Sequence, residues 1–332
     1  MESLRRRAEA GDRAAMSELG LQLLTGADGS PDPQQAVSWL RPAADQDDPA
    51  ALCLLATLTA AGAVAPPDWP AALADLARAA SLGVQDARAQ LQLLATGSLL
   101  PAPLPEHQDT WRDLARSVDM GAWMTPPPRR PVWEVPRIRM AEPFTTPDVC
   151  DWIRGKAEGR LRPGLMYHGD SRAEHLDPHR SCGDYEFDFH TTDLVLLAVR
   201  ERIAALTHLP TIAMEPPRIF HYALGQEIKP HYDRCGDGVQ GYGLLPGYLG
   251  DRIVTFLLYL NDDFDGGELD FPKAGFRCKG AKGDAVYFAH VDTEARPEPL
   301  SLHAGLKITR GEKWVLSQWI HDRPFGVAEK AA

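Results

Sequence analysis

Residues 221–233 read His221-Tyr222-Ala223-Leu224-Gly225-Gln226-Glu227-Ile228-Lys229-Pro230-His231-Tyr232-Asp233. Residues 301–314 read Ser301-Leu302-His303-Ala304-Gly305-Leu306-Lys307-Ile308-Thr309-Arg310-Gly311-Glu312-Lys313-Trp314. In an extended strand, residues i and i+2 point to the same side. His231 and Asp233 therefore face one cavity while Tyr232 faces away, and a later strand supplies His303. Around these stretches the chain runs in short apolar segments, at 218–224, 253–260, 267–271, 285–289, 301–304 and 313–320, separated by Gly, Pro and Asp. Strands at this spacing predict an antiparallel sandwich or barrel of the double-stranded β-helix (jelly-roll) kind. Helices are expected on its N-terminal side, one read over 143–157 and opening after Thr146-Pro147, the other over residues 193–206.

Two imidazoles and one carboxylate can cap one face of a metal ion and leave the opposite positions open. That is the facial triad of non-haem Fe(II) oxygenases. Lys313, ten residues beyond the last ligand, can pair with the carboxylate of an organic acid bound to that metal. A buried ammonium is tolerable only when paired. The quartet thus points to an oxygenase driven by a dicarboxylate co-substrate.

Before residue 100 the texture differs. The chain repeats with a spacing of 36: Ala8, Ala44 and Ala80; Ala15, Ala51 and Ala87; Leu19, Leu55 and Leu91. Gly26 matches Gly62, Asp32 matches Asp68, Ala36 matches Ala72 and Leu40 matches Leu76. A period in this range marks stacked helical hairpins. The glycines end first helices and the aspartates cap second ones. Proline-rich stretches at 99–105 and 125–136 flank one predicted linking helix over 109–120. The expected division is a repeat domain over 1–100, a linker with a helix over 101–134, and an oxygenase domain over 135–332. The fold class is thus α+β and multidomain, a helical repeat array followed by the double-stranded β-helix with flanking helices.

Bulk properties narrow the classes. The 332 residues are 44% hydrophobic and 24% charged, so the chain can bury a core. A formal net charge of −11 makes nucleic acid an unexpected partner. Arg5, Arg6 and Arg7 read as the solvated face of a first helix. Five scattered cysteines without a CxxC pair fit a reducing compartment. No signal peptide or membrane span is evident, so a cytoplasmic protein with no membrane partner is expected.

The N-terminal pattern resembles Sel1-like repeats of the tetratricopeptide superfamily. Residues 15–20 (Ala-Met-Ser-Glu-Leu-Gly) and 36–40 (Ala-Val-Ser-Trp-Leu) carry the likeness, which covers residues 4–96. Such an array offers a concave surface for a peptide or protein, or only stabilises its neighbour; the sequence leaves both open. Residues 135–325 resemble the prolyl 4-hydroxylase family of 2-oxoglutarate- and Fe(II)-dependent dioxygenases. The matching stretches are 221–226 with 230–233, 252–255 with 259–261, Gly266-Gly267-Glu268, 301–305 with 311–314, and Trp319-Ile320-His321. Arg180-Ser181 and the helix end at Arg202-Ile203-Ala204 follow the same pattern.

The resemblance implies that His231, Asp233 and His303 ligate Fe(II) and are the catalytic set. It places Lys313 on the far carboxylate of 2-oxoglutarate, with Tyr222 and Thr255 hydrogen-bonding that group, and Trp319 and His321 facing the substrate. O2 is the second co-substrate and ascorbate a candidate reductant. The implied reaction hydroxylates an unactivated C–H bond, foremost of a peptidyl proline, in a protein or peptide held in part by the repeats, with decarboxylation of 2-oxoglutarate to succinate and CO2. Two alternatives stay open: a hydroxylase of a free amino acid or small metabolite, and a non-enzymatic repeat adaptor with a vestigial metal site. The chain departs from the family at Leu306-Lys307, where many members have a proline, and at Arg180-Ser181-Cys182. In the family, the glycine-rich segment 234–250 forms a substrate lid, and its glycines predict mobility.

Other candidates read more plainly. His168, His175, His179 and His190 are expected to be solvated loop residues rather than a second metal site, and His290, which follows a strand, stands either behind the ligands or at the surface, with the surface favoured. Asp184, Glu186 and Asp188 alternate as one polar strand face. Cys235 reads as a bystander to Asp233.

Overall fold

A computed structural model describes residues 2–27, 30–99, 108–163, 165–166, 175–176, 182–234 and 250–325. The chain divides into two compact units, Met1–Met124 with Asp188–Glu201, and Thr125–Phe187 with Arg202–Ala332.

The first unit is helical. Its helices are α1 (Glu2–Glu9), α2 (Arg13–Thr25), α3 (Pro33–Asp45), α4 (Pro49–Ala61), α5 (Trp69–Ser81), α6 (Gln85–Thr96), α7 (Gln108–Ser117) and α8 (Met120–Met124). The period of 36 is physical. Ala8, Ala15, Ala44, Ala51, Ala80 and Ala87 are all buried, as are Leu19, Leu55 and Leu91. Gly26 and Gly62 stop α2 and α4 with φ of 65° and 67°, the left-handed conformation in which a side chain is strained. Asp32 and Asp68 accept the Gln35 and Ala71 N–H groups and start α3 and α5. Asp12 and Asp48 start α2 and α4 in the same way. At the third position of that series stands Val84, whose side chain cannot cap.

Helix α7 packs on α5 and α6 within this unit. Its Ala115 continues the buried series Ala43 and Ala79 at the same spacing, so the helix expected as a link occupies the place of the last repeat's second helix.

The second unit is built on two antiparallel sheets. The strands that matter are β1 (Arg129–Trp133), β2 (Ile138–Ala141), β3 (Gly183–Glu186), β4 (Arg218–Tyr222), β5 (Ile228–His231), β6 (Arg252–Tyr259), β7 (Leu269–Phe271), β8 (Phe276–Cys278), β9 (Ala285–Ala289), β10 (His303–Gly305) and β11 (Lys313–His321). The large sheet has the order β1-β2-β9-β6-β11-β4-β3, with the short strand Arg162–Pro163 at its edge. The smaller sheet has the order β8-β7-β10-β5. A core that includes Phe220, Tyr259, Phe271, Val286, Phe288 and Val315 draws side chains from both sheets. Strand β1 lies inside the segment read as a connection, and it pairs with β2 from Arg129 opposite Ala141.

Helix α9 (Pro147–Ala157) is capped by Thr146, as the Thr-Pro start predicts. Helix α10 (Leu194–Thr207) matches the apolar stripe read over 193–206, and its first N–H is received by the buried Gln90 side chain at 3.0 Å. Asp184 and Glu186 on β3 form the expected polar strand face and share Arg218 as their cation. His190 is exposed, as expected. The side chains of His168, His175, His179, Arg180, Ser181 and Cys235, and the glycine-rich segment over 235–249 expected as a lid, lie outside the described residues. Among the described residues, no helix is long and apolar enough to cross a membrane.

Candidate active site

Strands β5 and β10 are neighbours in the smaller sheet, and their register sets His231 directly opposite His303. Asp233 follows two residues after His231 and is 2% exposed. The three residues thus converge, with one donor atom from each within 4.8 Å of the others. His231 Nε2 lies 3.5 Å from Asp233 Oδ1, and His303 Nε2 lies 3.5 Å from Asp233 Oδ2. Donor atoms about 2.1 Å from one ion and at right angles stand roughly 3 Å apart, so the spacing fits a single ion capped on one face.

The imidazoles are turned for that task by their own backbone. His231 Nδ1–H donates to the Lys229 carbonyl at 2.8 Å, and His303 Nδ1–H donates to the Ser301 carbonyl at 3.0 Å. Each bond reaches back two residues and leaves Nε2 bare as a lone-pair donor toward Asp233. Burial pushes His303 down to about 3, so it is neutral, as a metal ligand must be. At Asp233 burial opposes the charge, but the surrounding imidazoles, His303 first, outweigh it and hold the carboxyl well below its usual range.

Phe220, Tyr222, Leu257, Leu269, Val315 and Trp319 wall the cavity that holds these three residues, and Lys313 also lines it. Lys313 is 5% exposed, and Tyr222 is its register partner across β11 and β4. The ammonium donates to the Gly267 carbonyl at 2.7 Å and lies 5.7 and 5.4 Å from the ring centres of Tyr222 and Tyr259. Gly267 has a φ of 67°, a backbone conformation strained for any side chain, so glycine suits the turn that brings its carbonyl to the lysine. Among the described residues, no carboxylate stands within ion-pair distance of Lys313. Burial pushes its pKa down to about 8.

Three sequence readings need correction. Thr255 lines the same cavity as Lys313, but its hydroxyl is engaged elsewhere. It donates to Asp233 Oδ2 at 2.5 Å and meets His290 Nε2 at 2.7 Å, so its one proton is committed to the Asp233 carboxylate. His321 does not face the cavity. A bulge between Ile320 and His321 shifts the end of β11, and the fully buried ring bonds Glu215 at 2.6 Å instead. His290 is not at the surface. It is completely buried, with Nε2 at 3.7 Å from Asp233 Oδ2, and burial holds it neutral with a pKa of about 4. Alternation could have found it, because Val286, Phe288 and His290 share one strand face and Phe288 is core. The ladder also runs on past β9, with the His290 N–H on the Ile253 carbonyl at 2.9 Å.

Trp319 does line the cavity, and a second buried cluster holds it. Arg252 lies 4.0 Å over the Trp319 ring and grips Glu215 with two bonds of 2.5 and 2.9 Å. Burial raises the Glu215 carboxyl, but Arg252 and then His321 bring it down to about 2. A carboxyl held below its ordinary value of 4.5 adds stability that is complete above that pH and is lost as pH falls toward 2. Glu215→Gln is expected to cost about 3 kcal/mol at pH 7, because the Arg252 charge is left buried. It should also remove the acid-side loss, so that urea unfolding at pH 7 and pH 3 separates the two proteins far more at pH 7.

Comparison with known proteins agrees with this geometry. A sequence profile of the 2OG-Fe(II) oxygenase superfamily matches residues 217–321. The probable prolyl 4-hydroxylase 6 of Arabidopsis thaliana is 31% identical over 209 residues, covering 58% of this chain and 71% of the relative. The chain belongs to the prolyl 4-hydroxylase-like family of 2-oxoglutarate/Fe(II) oxygenases. It is therefore a dioxygenase, and Fe(II), 2-oxoglutarate and O2 are the family's cofactor and co-substrates. Among solved structures, it is similar to a viral collagen prolyl hydroxylase from Paramecium Bursaria Chlorella virus-1 in complex with 2OG. That match has 25% identity over 55% of this chain and 95% of the other, with a TM-score of 0.42. It is also similar to a Sel1 repeat protein from Oxalobacter formigenes, with 26% identity over 35% of this chain and 87% of that one, and a TM-score of 0.28.

Proposed function

We propose that this oxygenase hydroxylates a peptidyl proline, with His231, Asp233 and His303 holding Fe(II) and Lys313 receiving the far carboxylate of 2-oxoglutarate. The observation that carries the reading is Lys313. A buried ammonium lining the same cavity as the His/Asp/His cluster, with no carboxylate beside it among the described residues, calls for a ligand that brings one. With the metal and 2-oxoglutarate bound, O2 would be the oxidant, one oxygen atom ending in the hydroxyl of the substrate carbon and the other in succinate, which is released with CO2.

The chain's residues do the rest. Lys313 anchors one end of the co-substrate and so fixes where its other end meets the His/Asp/His face. The Nδ1 bonds of His231 and His303 keep both rings from turning. The apolar walls, Phe220, Leu257, Val315 and Trp319 among them, exclude water from the reacting carbon. Proline is favoured as substrate by the family relatives, and a peptide rather than the free amino acid by the helical repeats, which offer a surface for a longer chain.

The test supplies Fe(II), 2-oxoglutarate, with and without ascorbate, and a library of proline-containing peptides. Peptide-stimulated succinate release with a +16 mass shift on a proline is expected. Stimulation by free amino acids and by no peptide would sink the peptide reading.

A further inference from the structure

We infer that His290 and Thr255 form a one-way hydrogen-bond relay that positions the Asp233 carboxylate for the metal. This rests on the proposed metal site. Thr255 has one hydroxyl proton, and an ionised carboxylate only accepts. The 2.5 Å contact to Asp233 Oδ2 therefore takes that proton. What remains toward His290 is an oxygen lone pair, so the 2.7 Å contact requires the proton on His290 Nε2.

His290 Nδ1 agrees with this assignment. It is buried and has no partner among the described residues, so a second proton there would be left unpaired. The tautomer of His290 is thus the reverse of the one in His231 and His303. Those two spend Nδ1–H on carbonyls and keep Nε2 bare, whereas His290 spends Nε2–H on the threonine.

Three imidazoles surround one carboxylate, and they divide the work. Two aim lone pairs at the ion, and the third aims a proton down the relay. The ring cannot drift, because its backbone bonds Ile253 and Glu298 at 2.9 Å each and its face meets Phe288 at 5.2 Å between ring centres. Oδ2 is held against rotation, and the carboxylate presents one fixed face. His290 and Thr255 are positioning residues, which act on the ion through Asp233.

Mn(II) titration of the full chain by calorimetry tests the relay without turnover. Thr255→Val and His290→Phe are each expected to weaken Mn(II) binding about 10- to 100-fold, the usual effect of losing a partner behind a ligand. His290→Gln, whose amide N–H reaches the same hydroxyl, should stay within about threefold of the wild type, and the Thr255→Val/His290→Phe double variant should bind as Thr255→Val does, because the two bonds act in series. Should His290→Phe fold poorly, the near-isosteric Thr255→Val carries the test. Wild-type affinity in Thr255→Val overturns the relay alone, as do additive losses in the double variant or no rescue by glutamine. A wild type that binds no Mn(II) overturns the proposed metal site, and the relay falls with it.

Discussion

Replacing Lys313 with methionine is expected to yield a protein that is more stable when empty and has lost its hold on 2-oxoglutarate. The ammonium is 5% exposed, and burial has moved its pKa from 10.5 to about 8. A lysine depressed in the folded state binds fewer protons there than in the unfolded chain between those two values. Stability therefore rises with pH across the window from about 8 to 10.5, and the full penalty is present below it. Methionine fills a similar volume without the charge. Net of the lost bond to Gly267, the empty variant should gain on the order of 1–2 kcal/mol at pH 7. The rise in stability between pH 8 and 10 should also vanish, which urea unfolding reads directly. The cost appears on binding. Removing one partner of a buried charge pair is worth about 2–5 kcal/mol, a roughly 30- to 5,000-fold loss of 2-oxoglutarate affinity. Metal affinity should be unchanged, because Lys313 is neither a donor to the triad nor part of the contacts around Asp233. A variant that keeps its 2-oxoglutarate affinity would remove Lys313 from the anion site.

Where a rule of sequence is local, the fold could be read in advance. The repeat was legible because each unit solves the same packing problem with the same small residue, so Ala15, Ala51 and Ala87 recur and are all buried. The strands were legible by alternation and by their glycine and proline punctuation, and the His/Asp/His set by the i, i+2 rule on one strand end. What was not legible depends on pairing between distant segments. Thr255 meets His290 only because β6 runs next to β9, whose extension carries that histidine, and no local pattern states that register. His321 leaves the cavity face through one bulge at the end of β11, which slips the register by a residue. Helix α7 reads as a link because proline-rich stretches at 99–105 and 125–136 flank it, and these hide that Ala115 keeps the period.

Asp233→Ala is expected to have the largest effect on turnover of any single change in this chain. The carboxylate is the only anion among the three donors, and Thr255 bonds it from behind. Losing an outer partner alone costs about 10- to 100-fold in metal affinity or activity. Losing the anionic ligand itself should exceed that, to roughly 10³-fold or more in Fe(II)- and 2-oxoglutarate-dependent succinate formation. Asp233→Asn sharpens the reading. Its amide oxygen can still accept the Thr255 proton, so the relay survives while the negative charge does not. If charge is what the ion needs, the asparagine variant should bind Mn(II) almost as poorly as the alanine variant. If orientation alone sufficed, it would bind nearly as the wild type. The Lys313→Met protein supplies the contrast, since it should keep Mn(II) and lose 2-oxoglutarate, whereas Asp233→Ala should lose Mn(II) and, with it, all succinate that depends on 2-oxoglutarate. Succinate formation surviving in Asp233→Ala at even a tenth of the wild-type rate would place the metal elsewhere in the molecule.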